Sequence, residues 1–595
     1  MDRSTPQQIY RERIIEFSKR ESELLRKYNH LGYVRLIVFL LMIAVFILLV
    51  QKIGWFAGVF LLLAIGGFGK LVYYHEGIKE QADFAEKLRK INELEQKSLR
   101  FEYHWNPTGS RFFDPQHPYL SDLDIFGSHS LFQYVNRATT SLGQERLAEW
   151  FSRGACAEEI TARQKAVEDL LGNIDLRQNL MAEGISIDDI PEHLQALNGW
   201  LKSENYLLPK VGIWFAKWVL PFFTVGSCLS IAYFISFSYS WIPLIIPGYL
   251  MYRTNRKITE INSETEKVAG TLNTYSRILS RIEGAHFESL LLKSSQSSLL
   301  SKEGRPSKLI AQLGYRIEQL NVRQNFFGIF FNLFVMWDFH WVVALEKSKI
   351  LLSRRIEGWL TIISSIESLS SLANLYFNNP DYGMPNLNGT SVQAVGMGHP
   401  LIPTEDRITN PIDLKTSGHV LLITGSNMAG KSTYLRSVGV NLVLANAGGP
   451  VCAKEFTFAP RPIYASMRVA DALEDGASSF YAELAKLKIV IDAVKSNPKI
   501  IFLLDEILKG TNSGDRNKGS EALLRQLIGY GGTGLVATHD LALTKMEKEF
   551  PMHLENWYFD VLIEEDKLAF DYKIKRGICQ SFNATLLMKQ MGIEI

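Results

Sequence analysis

The chain has 595 residues, enough for several domains, and 47% of them are hydrophobic, with a mean hydropathy near zero. Lysines and arginines (64) nearly balance aspartates and glutamates (62), a net charge of +2 that excludes both a strongly basic nucleic-acid coat and an acidic disordered chain. The 4 cysteines are scattered without C-x-x-C spacing and the 12 histidines form no ligand-spaced cluster, so neither a disulfide framework nor a zinc site is implied and a reducing cytoplasm fits.

Residues 1–32 are rich in Arg, Glu and Lys and predict an N-terminal helix. Residues 33–75 hold two apolar runs, Leu36 to Val50 and Trp55 to Gly69, parted by Gln51-Lys52-Ile53-Gly54; each approaches the ~20 residues that cross a bilayer. The first run starts about 35 residues in, is followed by a second and has no small-residue cleavage site, so it does not read as a cleaved signal peptide. Residues 76–118 predict a mixed-charge helical stalk and a Pro/Gly/Asp-rich linker, and 119–211 a first block of core helices. A second pair of runs, Trp218 to Ile235 and Trp241 to Met251, predicts another transmembrane hairpin over 212–252. Aromatic residues edge these runs and basic residues (Arg26, Lys27, Arg35, Lys70, Lys210, Lys217, Arg253, Arg256, Lys257) flank their outer ends, so four crossings with the soluble parts in the cytoplasm are expected. Residues 253–380 read as further core and lever helices. Within them Phe326 to Leu345 is apolar but contains Asn332, Asp338 and His340, costly at mid-bilayer, and is expected to be a buried core helix. Strands and helices alternate over 381–572, as in a nucleotide-binding α/β domain, and a short helical tail is expected over 573–595.

The most specific chemistry lies at 420–433, VLLITGSNMAGKST. A β-branched run meets Gly425, and Gly430-Lys431-Ser432-Thr433 follows, the full phosphate-loop pattern between a strand and a helix. Its backbone N–H groups (Gly425, Ser426, Asn427, Met428, Ala429, Gly430) and the helix N-terminus suit phosphate oxygens. Lys431 is expected on the β/γ-phosphates and Ser432 on Mg²⁺, with Thr433 beside it. A second apolar strand, IIFLLDE at 500–506, ends in Asp505, expected to bind the Mg²⁺, and Glu506, expected to orient or deprotonate the attacking water. A third, Gly534 to Ala537, ends in Thr538-His539, where His539 is placed to sense the γ-phosphate. The order of the three predicts Mg-dependent ATP hydrolysis by positioning and charge stabilisation, with ATP and Mg²⁺ as the required small molecules.

These residues resemble the MutS family of DNA mismatch-repair ATPases. Thr424 to Arg436 is similar to that family's TGPNMGGKSTYMR, Asp471 to Glu483 (DALEDGASSFYAE) to its signature loop, Asp505 to Thr511 (DEILKGT) to DEIGRGT, and Ala537-Thr538-His539 to ATH. Upstream, Gly398-His399-Pro400-Leu401-Ile402 and Asn410-Pro411 resemble its R-H-P and N-P elements, and Ser130 to Trp150 with Arg163 to Val167 resemble the opening of its core domain. The resemblance implies an α plus α/β fold: a helical core and lever region, here carrying four transmembrane helices, then a P-loop ATPase of ABC type with a mixed or parallel sheet. It also implies a homodimer in which Ser478 and Ser479 of one protomer face the γ-phosphate held by the other. Three departures stand out. Leu508-Lys509 replaces the usual Gly-Arg, Ala429 replaces a loop glycine, and the mismatch-reading N-terminal domain has no counterpart.

Two functions follow from the resemblance: a membrane-anchored ATPase that binds mismatched or branched DNA in a repair-like role, or the same motor working on membrane or a protein partner with DNA binding lost. The second hairpin takes roughly the place of the family's DNA clamp, which favours the latter; the retained core pattern favours the former. An ABC-type transporter is a weaker reading, because no LSGGQ segment is present.

Overall fold

The computed structural model describes residues 5–54, 57–185, 191–203, 215–300, 304–324, 328–415, 418–426, 429–468, 479–564 and 567–579. Two long helices open the chain, Pro6–Ile53 and Ala57–Ser98. The first is started by Thr5, whose hydroxyl accepts from Gln8 N, with Pro6 at the first helical position. With 48 and 42 residues they extend about 72 and 63 Å at 1.5 Å per residue. They pair antiparallel: Glu21 bonds Arg89 at 2.7 Å, Tyr28 stacks on His75 at 4.0 Å, and Phe39 meets Phe68 at 5.8 Å. The charged ends dock on the core and the apolar ends project away from it. There Leu62 and Leu63 are each 72% exposed and Leu36 to Val50 is exposed on nearly every side. An apolar surface all round a helix is stable only against protein or lipid.

The docked end is held by polar bonds as well as packing. Tyr10 Oη donates to Asn378 Oδ1 at 2.7 Å, and Arg13 bonds Gln178 and Asp175. Phe17, Leu88, Ile91, Met181 and Ala182 form a small buried cluster beside them. Deeper, Arg137 forks onto Glu95 at 2.5 and 3.1 Å, and Asn378 Nδ2 donates to the same carboxylate at 3.0 Å. Burial opposes charge on Glu95, yet Arg137 and the hydrogen bonds hold its carboxyl below the usual range.

The helical core is organised around Ile356–Asn378, which packs against Ser141–Ser152 and Ala157–Leu171. Its Ile363, Leu369 and Leu372 are fully buried, each contributing about 1.5–3 kcal/mol of hydrophobic stabilisation. Its Glu367 is also buried and accepts from the Thr139 and Thr140 backbone and hydroxyls, closing the entry to Ser141–Ser152.

Three described helices are long and apolar enough to cross a membrane: Pro6–Lys52, Ala57–Ser98 and Lys217–Phe234. The fourth crossing expected at Trp241–Met251 is not among them. That stretch is broken by a 3-10 turn at Ile242–Leu244, which leaves only Ile245 to Met251, about 10 Å of helix, before the flanking Arg253, Arg256 and Lys257. Phe326–Leu345, expected to be one buried core helix, is corrected more sharply. It contains two helices, Gly328–Val335 and Trp337–Leu352, bent by 81° at Met336, which adopts φ +53°. The first of the two exposes Ile329, Phe330, Phe331 and Val335, whereas the second buries Asp338, Val342, Val343 and Leu345, as expected of a core helix.

Eleven strands follow among the described residues: β1 (Ser391–Met397), β2 (Asn410–Lys415), β3 (Val420–Thr424), β4 (Glu455–Thr457), β5 (Ile463–Ser466), β6 (Ile501–Asp505), β7 (Thr533–Thr538), β8 (Leu554–Phe559), β9 (Leu562–Glu564), β10 (Lys567–Ala569) and β11 (Ile574–Arg576). A six-stranded sheet has the order β11-β8-β3-β7-β6-β5, parallel except for β11 against β8. The fold is therefore α plus α/β, mostly helical with a mixed sheet. β3, β6 and β7 are wholly buried, as central parallel strands covered on both faces must be. The tail expected to be helical opens instead with β11, whose edge pairing with β8 overrides local helix propensity; 580–595 lies outside the described residues.

Candidate nucleotide site

Parallel pairing sets the site. Thr424 of β3 lies opposite Thr538 of β7, and Asp505 of β6 opposite Ala537. The loops leaving these three strands therefore emerge side by side at the carboxyl edge of the sheet, where doubly wound folds bind ligands. A cleft of about 650 Å³ opens there, with Lys431, Ser432, Thr433, Ser426 and Glu506 in its wall.

The loop after β3 needs its glycines. Gly425 adopts φ +145°, and a Cβ there would stand 2.8 Å from the Phe559 carbonyl oxygen; Gly430 adopts φ +104° at the start of helix Lys431–Ala447. Lys431 is buried, and its Nζ donates to the carbonyl oxygens of Gly425 and Ser426 at 2.8 Å each. Burial pulls its pKa below the usual lysine range, while Glu506 and Asp505 pull it back up. Ala429 is buried and Thr433 exposed at the rim. Asn427, Met428 and Ser478 lie outside the described residues; Ser479 begins helix Ser479–Ser496, so its backbone alone is placed.

Asp505 is 9% exposed, and burial raises its pKa first of all, with a hydrogen bond to Ser432 acting against that rise. Its Oδ1 is buried and has no hydrogen-bond partner. A buried carboxylate oxygen lacking a donor, next to a hydroxyl, is a hard-oxygen pair that fits Mg²⁺ and fits no softer ion as well.

Glu506 adopts φ +46°, a left-handed conformation costing about 1–3 kcal/mol for a residue with a side chain. Its carboxylate reaches Lys509 Nζ at 3.1 Å and His539 Nδ1 at 4.0 Å. The three strand-end motifs thus converge on Glu506, which is 16% exposed in side chain. Leu508, where the resembled family has Gly, also lies at positive φ (+61°). Its side chain is buried in the cluster beneath the sheet, and its N–H, with that of Lys509, donates to Glu483 of helix Ser479–Ser496.

Several groups around the cleft were not assigned from sequence. Tyr572 lines it, and a Cβ on Gly430 would lie 3.2 Å from its ring. Asn410 fixes it there, donating to Tyr572 O at 2.9 Å and accepting from Ile574 N at 3.0 Å. An aromatic 140 residues beyond the loop gives no spacing signal; the N-P asparagine was the available clue. His399 lines the cleft too, and burial, then Arg436 and Arg407, push its pKa down to about 4. Outside the cleft, Asp122 accepts from the backbone of Met467 and Arg468 and from Lys486, tying the helical core to the segment preceding the signature loop.

Comparison with known proteins agrees with this arrangement. A model of MutS domain III matches residues 120–325, and one of MutS domain V matches 421–590. Similar curated proteins include "DNA mismatch repair protein MutS" of Thermotoga neapolitana, 29% identical over 245 residues, and of Thermotoga maritima, 30% identical over 236. "DNA mismatch repair protein MutS 2" of Halobacterium salinarum is 28% identical over 246 residues. Those alignments cover 39–40% of this chain and only 28–30% of the relatives' own length. With domain III and domain V both present and in order, and with the loop, Asp-Glu and His motifs gathered at one sheet edge, this chain belongs to the MutS family.

Proposed function

We propose that the chain is a membrane-anchored, Mg-dependent MutS-like ATPase that hydrolyses ATP at a homodimer interface and binds mismatched or branched DNA. The observation that carries the ATPase reading is the convergence of Lys431, Ser432 and Glu506 in the wall of one cleft, with the buried, unpartnered Asp505 Oδ1 at the same sheet edge and its carboxyl bonded to Ser432. Lys431 leaves the Gly425 and Ser426 carbonyls to take β- and γ-phosphate oxygens, and the N-terminus of Lys431–Ala447 adds its favourable dipole. Ser432 and Asp505 would hold Mg²⁺, which would supply positive charge against the charge developing on the phosphates. Glu506 accepts the proton of the attacking water, Lys509 and His539 fix its orientation, and His539 reports on the γ-phosphate. Ser478 and Ser479 complete the site of the opposite protomer, so ATP stabilises the pair.

The Glu506→Gln chain in detergent is the test. It should bind ATP, lose turnover by at least 100-fold, and run as a dimer on size exclusion with ATP; Lys431→Ala should lose turnover as well, but without binding ATP or dimerising. Parental turnover by Glu506→Gln would remove the assigned base, and a monomer at saturating ATP would remove the shared site.

The second reading, a motor acting on membrane or a protein partner, is favoured by the exposed apolar helices. A salt series of duplex and branched DNA binding separates the two. Affinity no better than that of an unrelated basic protein ends the DNA reading. A carbonate wash that releases the chain from membranes ends the anchored one.

A further inference from the structure

The helix Gly328–Val335 is turned inside out. Ile329, Phe330, Phe331 and Val335 are 60, 50, 43 and 44% exposed, whereas Asn332, its one polar side chain, is 4% exposed. Asn332 Oδ1 accepts from Asp338 N at 2.7 Å and so caps the helix that follows the bend. Asp338 is itself buried and pairs with Arg323 at 3.3 Å. Asn332 and Asp338, two of the polar residues that argue against a bilayer location on sequence alone, thus face the protein, and Phe330 and Phe331 face outward. An element in water has the opposite arrangement.

Its neighbours identify the medium. The helix packs against Leu220–Phe234 and Ile245–Thr265, with Leu333 over Gly248, and so continues the surface on which Phe222 and Phe223 are 77 and 59% exposed. Tryptophans gather at the bend: Trp337 lies 5.4 Å from Phe331 and donates through Nε1 to Gln319 O at 2.7 Å, and Trp218 contacts His340 at 5.7 Å. Amphipathic indoles of this kind settle at a membrane surface. Eight residues rise only about 12 Å against a hydrocarbon core of ~30 Å, so the helix by itself reaches one leaflet, and Trp337–Leu352, bent away by 81° with Asp338, Glu346 and Lys349 buried in the protein, does not extend it into a crossing.

We propose that Gly328–Val335 is a re-entrant wedge whose exposed face is covered by the acyl chains of a single leaflet, seating the helical core of this MutS-family chain on the bilayer. The proposal rests on the membrane reading above and adds a third insertion, made by the core itself and not by a hairpin.

Site-directed spin labelling tests both and separates them. In the full chain with Cys156→Ser and Cys228→Ala, and the buried Cys452 and Cys579 left in place, one new cysteine replaces Phe330, Leu62 of the first hairpin, or exposed Lys293 of the soluble core. Each is labelled in phosphatidylcholine–phosphatidylglycerol nanodiscs, and its accessibility to oxygen and to a water-soluble nickel chelate is measured. Labels at 62 and 330 should favour oxygen over nickel at least threefold, and the label at 293 should reverse that ratio. A lipid-like 62 with a water-like 330 overturns the wedge and leaves the anchor standing. Water-like values at both overturn both. Spin–spin broadening at 330 means that a second copy of the chain covers the face, and also overturns the wedge.

Discussion

The buried Glu95–Arg137 pair fastens the first hairpin to the core, and removing its charge should detach one from the other. Both side chains are 3% exposed or less, Arg137 engages both carboxylate oxygens, and Asn378 supplies a third donor. Glu95→Gln leaves the guanidinium buried without a counter-charge, a loss of about 3–5 kcal/mol. For a cooperative unit of roughly 150–250 residues that corresponds to about 6–20 °C in thermal midpoint. The assay is thermal unfolding in detergent, paired with hydrogen exchange over residues 85–98, whose protection should fall first. Replacing both partners, Glu95→Met with Arg137→Met, removes the orphaned charge and should recover at least half the loss. The pH dependence has a defined sign. The Glu95 carboxyl is held below its ordinary range, so its stabilisation is complete above the unfolded value of about 4.3 and disappears as pH falls through the folded value. The parent chain should therefore have an acid-unfolding limb below about pH 4 that Glu95→Gln has largely lost. A Glu95→Gln midpoint within 2 °C of the parent, or a double variant no better than the single one, would refute the reasoning.

Other outcomes follow from the same contacts. Leu508→Gly relieves about 1–3 kcal/mol of left-handed strain but empties a buried leucine site worth about 2–5 kcal/mol, so it should destabilise on balance. Gly519→Ala, which places a Cβ 2.6 Å from Leu508 Cδ1, should be less favourable in the parent chain than on a Leu508→Gly background; additive unfolding midpoints would disprove that contact. His399, with its pKa near 4, is neutral from pH 6 to 8, so His399→Gln should keep the shape of the ATPase pH profile. Loss of a limb near pH 6 in that variant would show that the imidazole titrates in the working range.

The motifs at Lys431, Asp505-Glu506 and His539 were legible because each sits at the end of a short apolar strand, a local pattern that survives without knowing what the strand pairs with. The apolar helices were legible for a similar reason: their length and flanking charge are properties of consecutive residues. Position 508 marks the limit of such reading. Its departure from glycine is visible in the sequence, but that the leucine keeps the left-handed backbone and places its side chain over Gly519 depends on packing between distant segments.

Sequence alone determined the family, the chemistry expected of the phosphate loop and the presence of apolar helices, since all three are written in contiguous stretches. Only the tertiary structure decided that Glu506 lies between Lys509 and His539, that Asn410 holds Tyr572 at the cleft, and that Asn332 and Asp338 turn inward while Phe330 turns out. The orientation of a side chain depends on what covers its helix or strand, and that is set by residues tens to hundreds of positions away.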